Sequence, residues 1–307
     1  MTSNPKNRDT RIDFGLLSKR LPQSPLALIS HSIGEQTPGR LPNQNENHSL
    51  TARKRSPDNI RTSQPISVMR HSPWDTYKAL YQLQLGDSEP TIVAEERTIS
   101  PKSRFSPAVI RHMSGLDEIQ RIQQIRHENF VTVLAIFDHE GSYTVAFEYM
   151  PLSLLEVAGN PLLKELQLAS IVGQILHGLL YLAKDNLEHG QLTCSNVLID
   201  LEGCIKLQAQ ECCHVRSGRS QDIHALSLVV MELMHGYPKK GNVGIDNLER
   251  WPYDSLAVSF LSATDGASRM DQLLEHTLLQ LPWHQSALKG LFSLAISWAR
   301  RGVTYPA

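Results

Sequence analysis

The side chains with chemistry to offer crowd into one stretch, Leu187–Glu211, which reads LEHGQLTCSNVLIDLEGCIKLQAQE. It holds an imidazole at His189, carboxamides at Gln191 and Asn196, and carboxylates at Glu188 and Glu211. The set falls short of what proton or group transfer demands. A glutamine cannot accept a proton near neutral pH. Neutral carboxamides are a poor hold on a hard dication that wants several oxygens. A relocated base would have to come from Glu188 or Glu211, and both read as surface carboxylates. Cys204, Cys212, Cys213 and His214 lack the C-x-x-C pairs that mark zinc sites, so reduced structural cysteines are expected there and no metal.

These residues need elements to position them. Val197–Ile199 and Ile205–Leu207 are short β-prone runs joined by the turn-rich Asp200-Leu201-Glu202-Gly203. Ahead of the polar loop, Leu166–Ala183 has the composition of a strongly buried helix. Helix, polar loop and hairpin in that order resemble the surroundings of the catalytic loop in eukaryotic protein kinases. The kinase pattern H-R-D-L-x-x-x-N falls on His189 through Asn196, where His, Leu and Asn match while Gln191 stands in place of the Asp. The D-F-G triplet falls on Ala209, Gln210 and Glu211 without a match. Asp222–Gly236 is similar to the family's helix F, with Asp222, Glu232 and Leu233 retained. The resemblance gives Asp222 a structural duty, accepting hydrogen bonds from the catalytic-loop backbone.

Upstream the resemblance weakens. Asp75–Leu85 and Thr91–Ile99 read as the first strands of a small lobe, with Gly86 the one glycine between Gly39 and Gly115. A phosphate-covering G-x-G-x-x-G loop is therefore missing. The lysine strand V-A-I-K aligns with Val93-Ala94-Glu95-Glu96, putting Glu96 where the lysine belongs, with Arg97 or Lys102 within reach of a slipped register. Ser114–Arg126 has helical spacing at Leu116, Ile119, Ile122 and Ile125, with Ser114 as its cap, and Glu118 falls on the helix-C glutamate. Phe147-Glu148-Tyr149-Met150 resembles gatekeeper and hinge. The remnant nucleotide cleft implied is Ala94, Glu96, Glu118, Phe147, Glu148, Met150 and Leu198. Asn196 is its sole metal-ligand remnant. Gln210 would break the apolar stack formed by Ile122, Val133 and His189.

Downstream, Ala209 and Asp222 lie too close for a full activation segment, and no A-P-E triplet is present. Ser255–Ser262, Met270–Leu279 and Gln285–Arg300 are expected helices. The resemblance spans roughly 75–280 and implies an α+β, two-lobed protein-kinase-like fold. A small β-rich N-lobe (about 75–149) would precede a larger, mostly helical C-lobe (about 152–302), in a domain covering 71–302.

Residues 1–70 carry eleven Lys/Arg against five Asp/Glu, a net of +6, which leaves −7 for the rest of a chain that totals −1. With Phe14 as its only aromatic, that segment is expected to be a disordered basic tail. Its densest cluster, Arg53-Lys54-Arg55, is too short to mark a nucleic-acid partner. No apolar run is read as a membrane span, and the amino terminus has no secretory signal, so the expectation is an intracellular protein, cytoplasmic and/or nuclear.

The resemblance and its departures together imply a pseudokinase that acts as a protein-binding or allosteric scaffold. It would have no enzymatic activity, no cofactor, a protein partner, and neither nucleic acid nor membrane. The alternatives are an atypical ATP-dependent protein serine/threonine kinase with weak residual phosphotransfer, using ATP and magnesium, and a decayed kinase duplicate.

Overall fold

The computed structural model describes residues 66–97, 106–218, 220–237 and 244–299. The chain begins with β1 (Val68–Met69), a single turn α1 (Pro73–Thr76), β2 (Tyr77–Leu83), β3 (Thr91–Glu96) and β4 (Ala108–Met113). Helix α2 (Leu116–Gln124) follows, then β5 (Val133–His139) and β6 (Ser142–Glu148). The six strands form one sheet in the order β1-β5-β6-β4-β3-β2. The β5–β6 hairpin closes on Glu140-Gly141, both at positive φ (52° and 75°), the turn that matches the right-handed twist of its strands. The sheet buries Val93, Val109, Ile136 and Val145 with Ile119 and Ile122 of α2 on one face, and Tyr77, Ala94 and Phe137 on the other.

The domain starts before the expected residue 71, because Val68 and Met69 pair in parallel with Ile136 and Phe137. Most of residues 1–70, Lys102 and Arg300 lie outside the described residues. Ser114 does not cap α2 with its hydroxyl. Its backbone N–H instead donates to Glu118 Oε2 at 2.8 Å, and Gly115 occupies the cap position.

The second lobe is built around α3 (Glu165–Lys184), preceded by β7 (Leu152–Ser153) and followed by β8 (Leu187–Glu188), β9 (Val197–Ile199), β10 (Ile205–Leu207) and β11 (His214–Val215). Helices α4 (Gln221–His235), α5 (Leu256–Gly266), α6 (Met270–Leu274) and α7 (Lys289–Trp298) complete it. Contrary to expectation, α3 is long and apolar enough by length and composition to cross a membrane. Here its apolar side chains, among them Leu168, Ile171, Val172 and Ile175, are buried in the large-lobe core with Leu226, Val230 and Phe260. That is the reason a membrane-length helix sits inside a globular lobe: its neighbours supply the apolar surroundings. Strands β10, β9 and β7 form one small sheet and β11 pairs with β8, so the segment after β10 is tied at once to the polar loop. A β-rich lobe followed by a helical one is the two-lobed α+β architecture implied by the sequence.

Candidate functional site

Between the lobes lies a cavity of about 1000 Å³. Leu85, Val109, Phe147, Met150 and Leu198 supply its apolar wall, and Gln191, Asn196, Gln208, Ala209 and Glu211 its polar end.

The polar loop is held from beneath. Asp222, buried at the first turn of α4, accepts the His189 N–H at 2.8 Å and the Gly190 N–H at 3.2 Å. The His189 ring is fully buried and stacks on Phe130 with centroids 6.3 Å apart. Its Nδ1 accepts the Gln191 N–H at 3.3 Å, so Nε2 carries the proton and donates to Gln208 O at 2.7 Å. Burial lowers the imidazole pKa below its ordinary value, against the opposing pull of Asp222. His189 is thus a neutral strut behind the cavity.

Asn196 is spent internally. Its Nδ2 donates to Gln191 O at 2.8 Å, and its Oδ1 accepts from Gln208 Nε2 at 3.2 Å. Ala209 follows in a left-handed conformation, φ 65° and ψ 39°, where a side chain with a Cβ is strained. Gln210 is fully buried and donates to Val131 O at 2.7 Å, while its Oε1 has no partner.

Two expected surface carboxylates are buried. Glu188 accepts the Gln221 N–H at 3.1 Å at the start of α4, a stabilising position for an anion. Glu211 pairs with Arg111, and its backbone oxygen accepts Arg121 Nη1 from α2 at 3.0 Å. The sequence foresaw neither partner, because Arg111 and Arg121 lie far upstream of Glu211 and Glu188 is met by a backbone N–H well downstream.

The lysine strand needs correction. Thr91–Glu96 is β3, which lies between β4 and the edge strand β2. The strand directly before α2, lying beside the hinge strand β6, is Ala108–Met113. Arg111 therefore stands where the V-A-I-K lysine was sought, on an Ala108-Val109-Ile110 run that fits the pattern better than Val93–Glu96. Missing β4 caused the slip. Ala94 is buried on the opposite face of the sheet, Glu96 is exposed at the end of β3, and Glu118 is tied to Ser114, so none of the three lines the cavity. Arg97 is also elsewhere, donating to Trp74 O at 2.8 Å. Phe147, Glu148, Met150 and Leu198 do line it, as do Gln191, Asn196 and Ala209. Arg111 and Gln208 were missed.

At the cavity mouth the β2–β3 turn is fastened to the large lobe. Gly86 N–H donates to Glu156 Oε1 and Asp87 N–H to Ser195 Oγ, both at 3.1 Å. Gly86 sits at φ 55°, and a Cβ there would come within 2.6 Å of Ser195 Oγ. Glu232 of α4 also faces the cavity; burial raises its carboxyl pKa, and Asp87 pushes the same way. Glu148 is neutralised by Lys206. The apolar side chains of Leu226–Met234 are mostly interior, with Leu228 partly exposed, while Tyr253 ahead of α5 is 78% exposed.

Residues 102–220 match the family described as protein kinase domain. The chain is similar to the serine/threonine-protein kinase SMU1 of Mycosarcoma maydis, 26% identical over 200 residues that cover 62% of this chain and 26% of that protein. It is 32% identical over 94 residues to the serine/threonine-protein kinase STE11 of Saccharomyces cerevisiae, covering 29% and 13% of the two chains. Against human cyclin-dependent kinase 20 it is 33% identical over 97 residues, covering 30% and 28%. The chain thus spans about a quarter or less of the first relatives it matches.

Proposed function

We propose that this chain, which belongs to the eukaryotic protein kinase family, keeps the family's fold for a purpose other than phosphoryl transfer, as a pseudokinase that binds a protein partner or relays a conformational signal. One observation carries the reading: the polar end of the cavity is occupied by contacts within the chain. Asn196, the remaining amide ligand, is engaged on both its atoms, and Ala209 and Gln191 stand where a metal ligand and a base would be needed.

Phosphoryl transfer is positioning plus electrostatics, and loss of a positioned base alone costs on the order of 10²–10⁴ in rate. The two carboxylates that the sequence offered as a relocated base provide no replacement, since Glu188 caps α4 and Glu211 is paired with Arg111. The loop itself is well held, with Asp222 and His189 fully engaged, which favours a maintained fold over decay. The four unpaired cysteines suit a reducing compartment, cytoplasm or nucleus. The partner reading rests on analogy with other kinase folds that have lost catalytic groups.

The test is thermal unfolding of the full chain with ATP, in magnesium and in EDTA. Under this reading the transition stays put in both. A ligand at a hundred times its Kd would raise stability by about 2.7 kcal/mol. A magnesium-dependent rise of several degrees, accompanied by transfer of phosphate to a general acceptor protein, would overturn the proposal.

A further inference from the structure

We infer that Glu211 is a built-in anion seated on Arg111, and that this carboxylate is what closes the cleft to polyphosphate ligands. The inference rests on the proposed reading of the cleft and adds to it a specificity-determining residue and the ligand class that residue excludes.

Arg111 projects from β4 into the cavity with its guanidinium 5.6 Å above the centre of the Phe147 ring, and its side chain is only 25% exposed. Such a group needs an anion, since a partly buried cation without one is costly. Glu211 supplies it from the segment after Ala209, where the family pattern would place a glycine with no side chain. The delivery is fixed at two points, by the left-handed turn at Ala209 and by Arg121 holding the Glu211 carbonyl.

The fit is incomplete in an informative way. Glu211 is 9% exposed, and its second oxygen, Oε2, is buried without a hydrogen-bond partner. A guanidinium fork can hold an anion through two parallel bonds, and here the carboxylate engages it through one oxygen. The other ionisable lining residues are Asp87, Glu89 and Glu232, with Glu148 paired to Lys206 and His112 on β4. With Glu211 in place the one guanidinium lining the cavity is already paired, and a phosphate chain would meet carboxylates with no free cation opposite them. Without it, a cation in the cavity that Asn196 and Gln208 also line is uncovered. The consequence is a cleft closed to polyphosphates in which one substitution uncovers the guanidinium that would hold them.

The experiment uses the full chain as wild type, Glu211→Gln, and the double variant Arg111→Gln with Glu211→Gln. Thermal unfolding is followed with inorganic tripolyphosphate in EDTA, so that no metal contributes. The expected result is no shift in the wild type, a rise of about 5 °C or more in Glu211→Gln at a hundred-fold excess over Kd, and none in the double variant. The double variant removes both charges and controls for lost stability. Should Glu211→Gln be partly unfolded, tripolyphosphate should restore its transition, and the double variant should stay indifferent. Indifference of Glu211→Gln beside a silent wild type would overturn this inference and leave the proposed function standing. An equal response of the double variant would overturn it too. A wild type that already binds ATP with magnesium would instead remove the reading on which it rests.

Discussion

Gln208 donates its side-chain amide to Asn196 Oδ1 at 3.2 Å and to Ser195 O at 3.1 Å, clamping the segment after β10 to the polar loop. The oxygen that would face a metal ion is thereby committed to a neighbour twelve residues along. The contact converts a ligand position into a structural one, and it costs the chain nothing in charge, since both partners are neutral amides. The adjoining His189–Gln208 O bond repeats the clamp from the other side.

Replacing Gln208 with alanine removes both side-chain bonds and leaves the Asn196 oxygen facing the cavity. At about 1 kcal/mol net per neutral hydrogen bond, the expected loss is about 1–2 kcal/mol. Urea denaturation should show a lower midpoint with an unchanged slope, as stability falls without a change in the surface exposed. Magnesium should not restore the midpoint, because Ala209 still supplies no ligand.

Asp222 predicts a larger effect. Its two oxygens satisfy the His189 and Gly190 N–H groups in a site it leaves 3% exposed. Asp222→Ala orphans both donors, and hydrogen bonds to a charged acceptor are worth about 1.5–3 kcal/mol each. A loss of about 3–5 kcal/mol is expected, enough to unfold much of the population at 37 °C. Gly190, at φ 74°, cannot shift toward a substitute partner easily, because it packs against the His214 ring.

Much of the large lobe was legible in the sequence. The helix expected over Leu166–Ala183 runs Glu165–Lys184, and the expected runs Val197–Ile199 and Ile205–Leu207 are strands at those bounds. Their apolar periodicity is local and strong. The small lobe was read less well because its strands are short and half-polar: Ala108–Met113, with Arg111 and His112 inside it, gives no clean alternation. Losing that strand moved the lysine position by a whole strand, from Arg111 to Glu96. The pairing of Arg111 with Glu211 joins residues a hundred positions apart, and no spacing rule reaches that far. Glu211 looked like a surface residue for the same reason: its burial depends on a cation that only the fold brings near.

Ala209 offers a substitution in the stabilising direction. A residue with a Cβ held at φ 65° carries strain of about 1–2 kcal/mol, which glycine does not. Glycine gives back about 0.4–1 kcal/mol through the freer unfolded chain. Ala209→Gly is therefore expected to raise stability by about 0.5–1 kcal/mol, a gain of a few degrees in Tm. A fall in Tm would mean that the methyl group's packing outweighs the backbone strain.

The buried His189 sets the direction of the pH response. Burial lowers its folded pKa, while the unfolded chain titrates near the ordinary 6.5. Below that value the unfolded state takes up a proton that the folded state refuses, so the unfolded state binds more protons and stability falls as pH falls. The contribution is complete above pH 6.5 and is lost progressively on acidification, by at most about 1.4 kcal/mol per pH unit for one histidine. His127 and His276 are also lowered by burial and act in the same direction, more weakly because they are partly exposed. Thermal unfolding at pH 7.5, 6.5, 5.5 and 5.0 should give a falling Tm below about 6.5. In His189→Gln, whose amide can still donate toward Gln208 O, that fall should be visibly shallower. An identical slope in the variant would show that the imidazole is not the group that resists protonation in the fold.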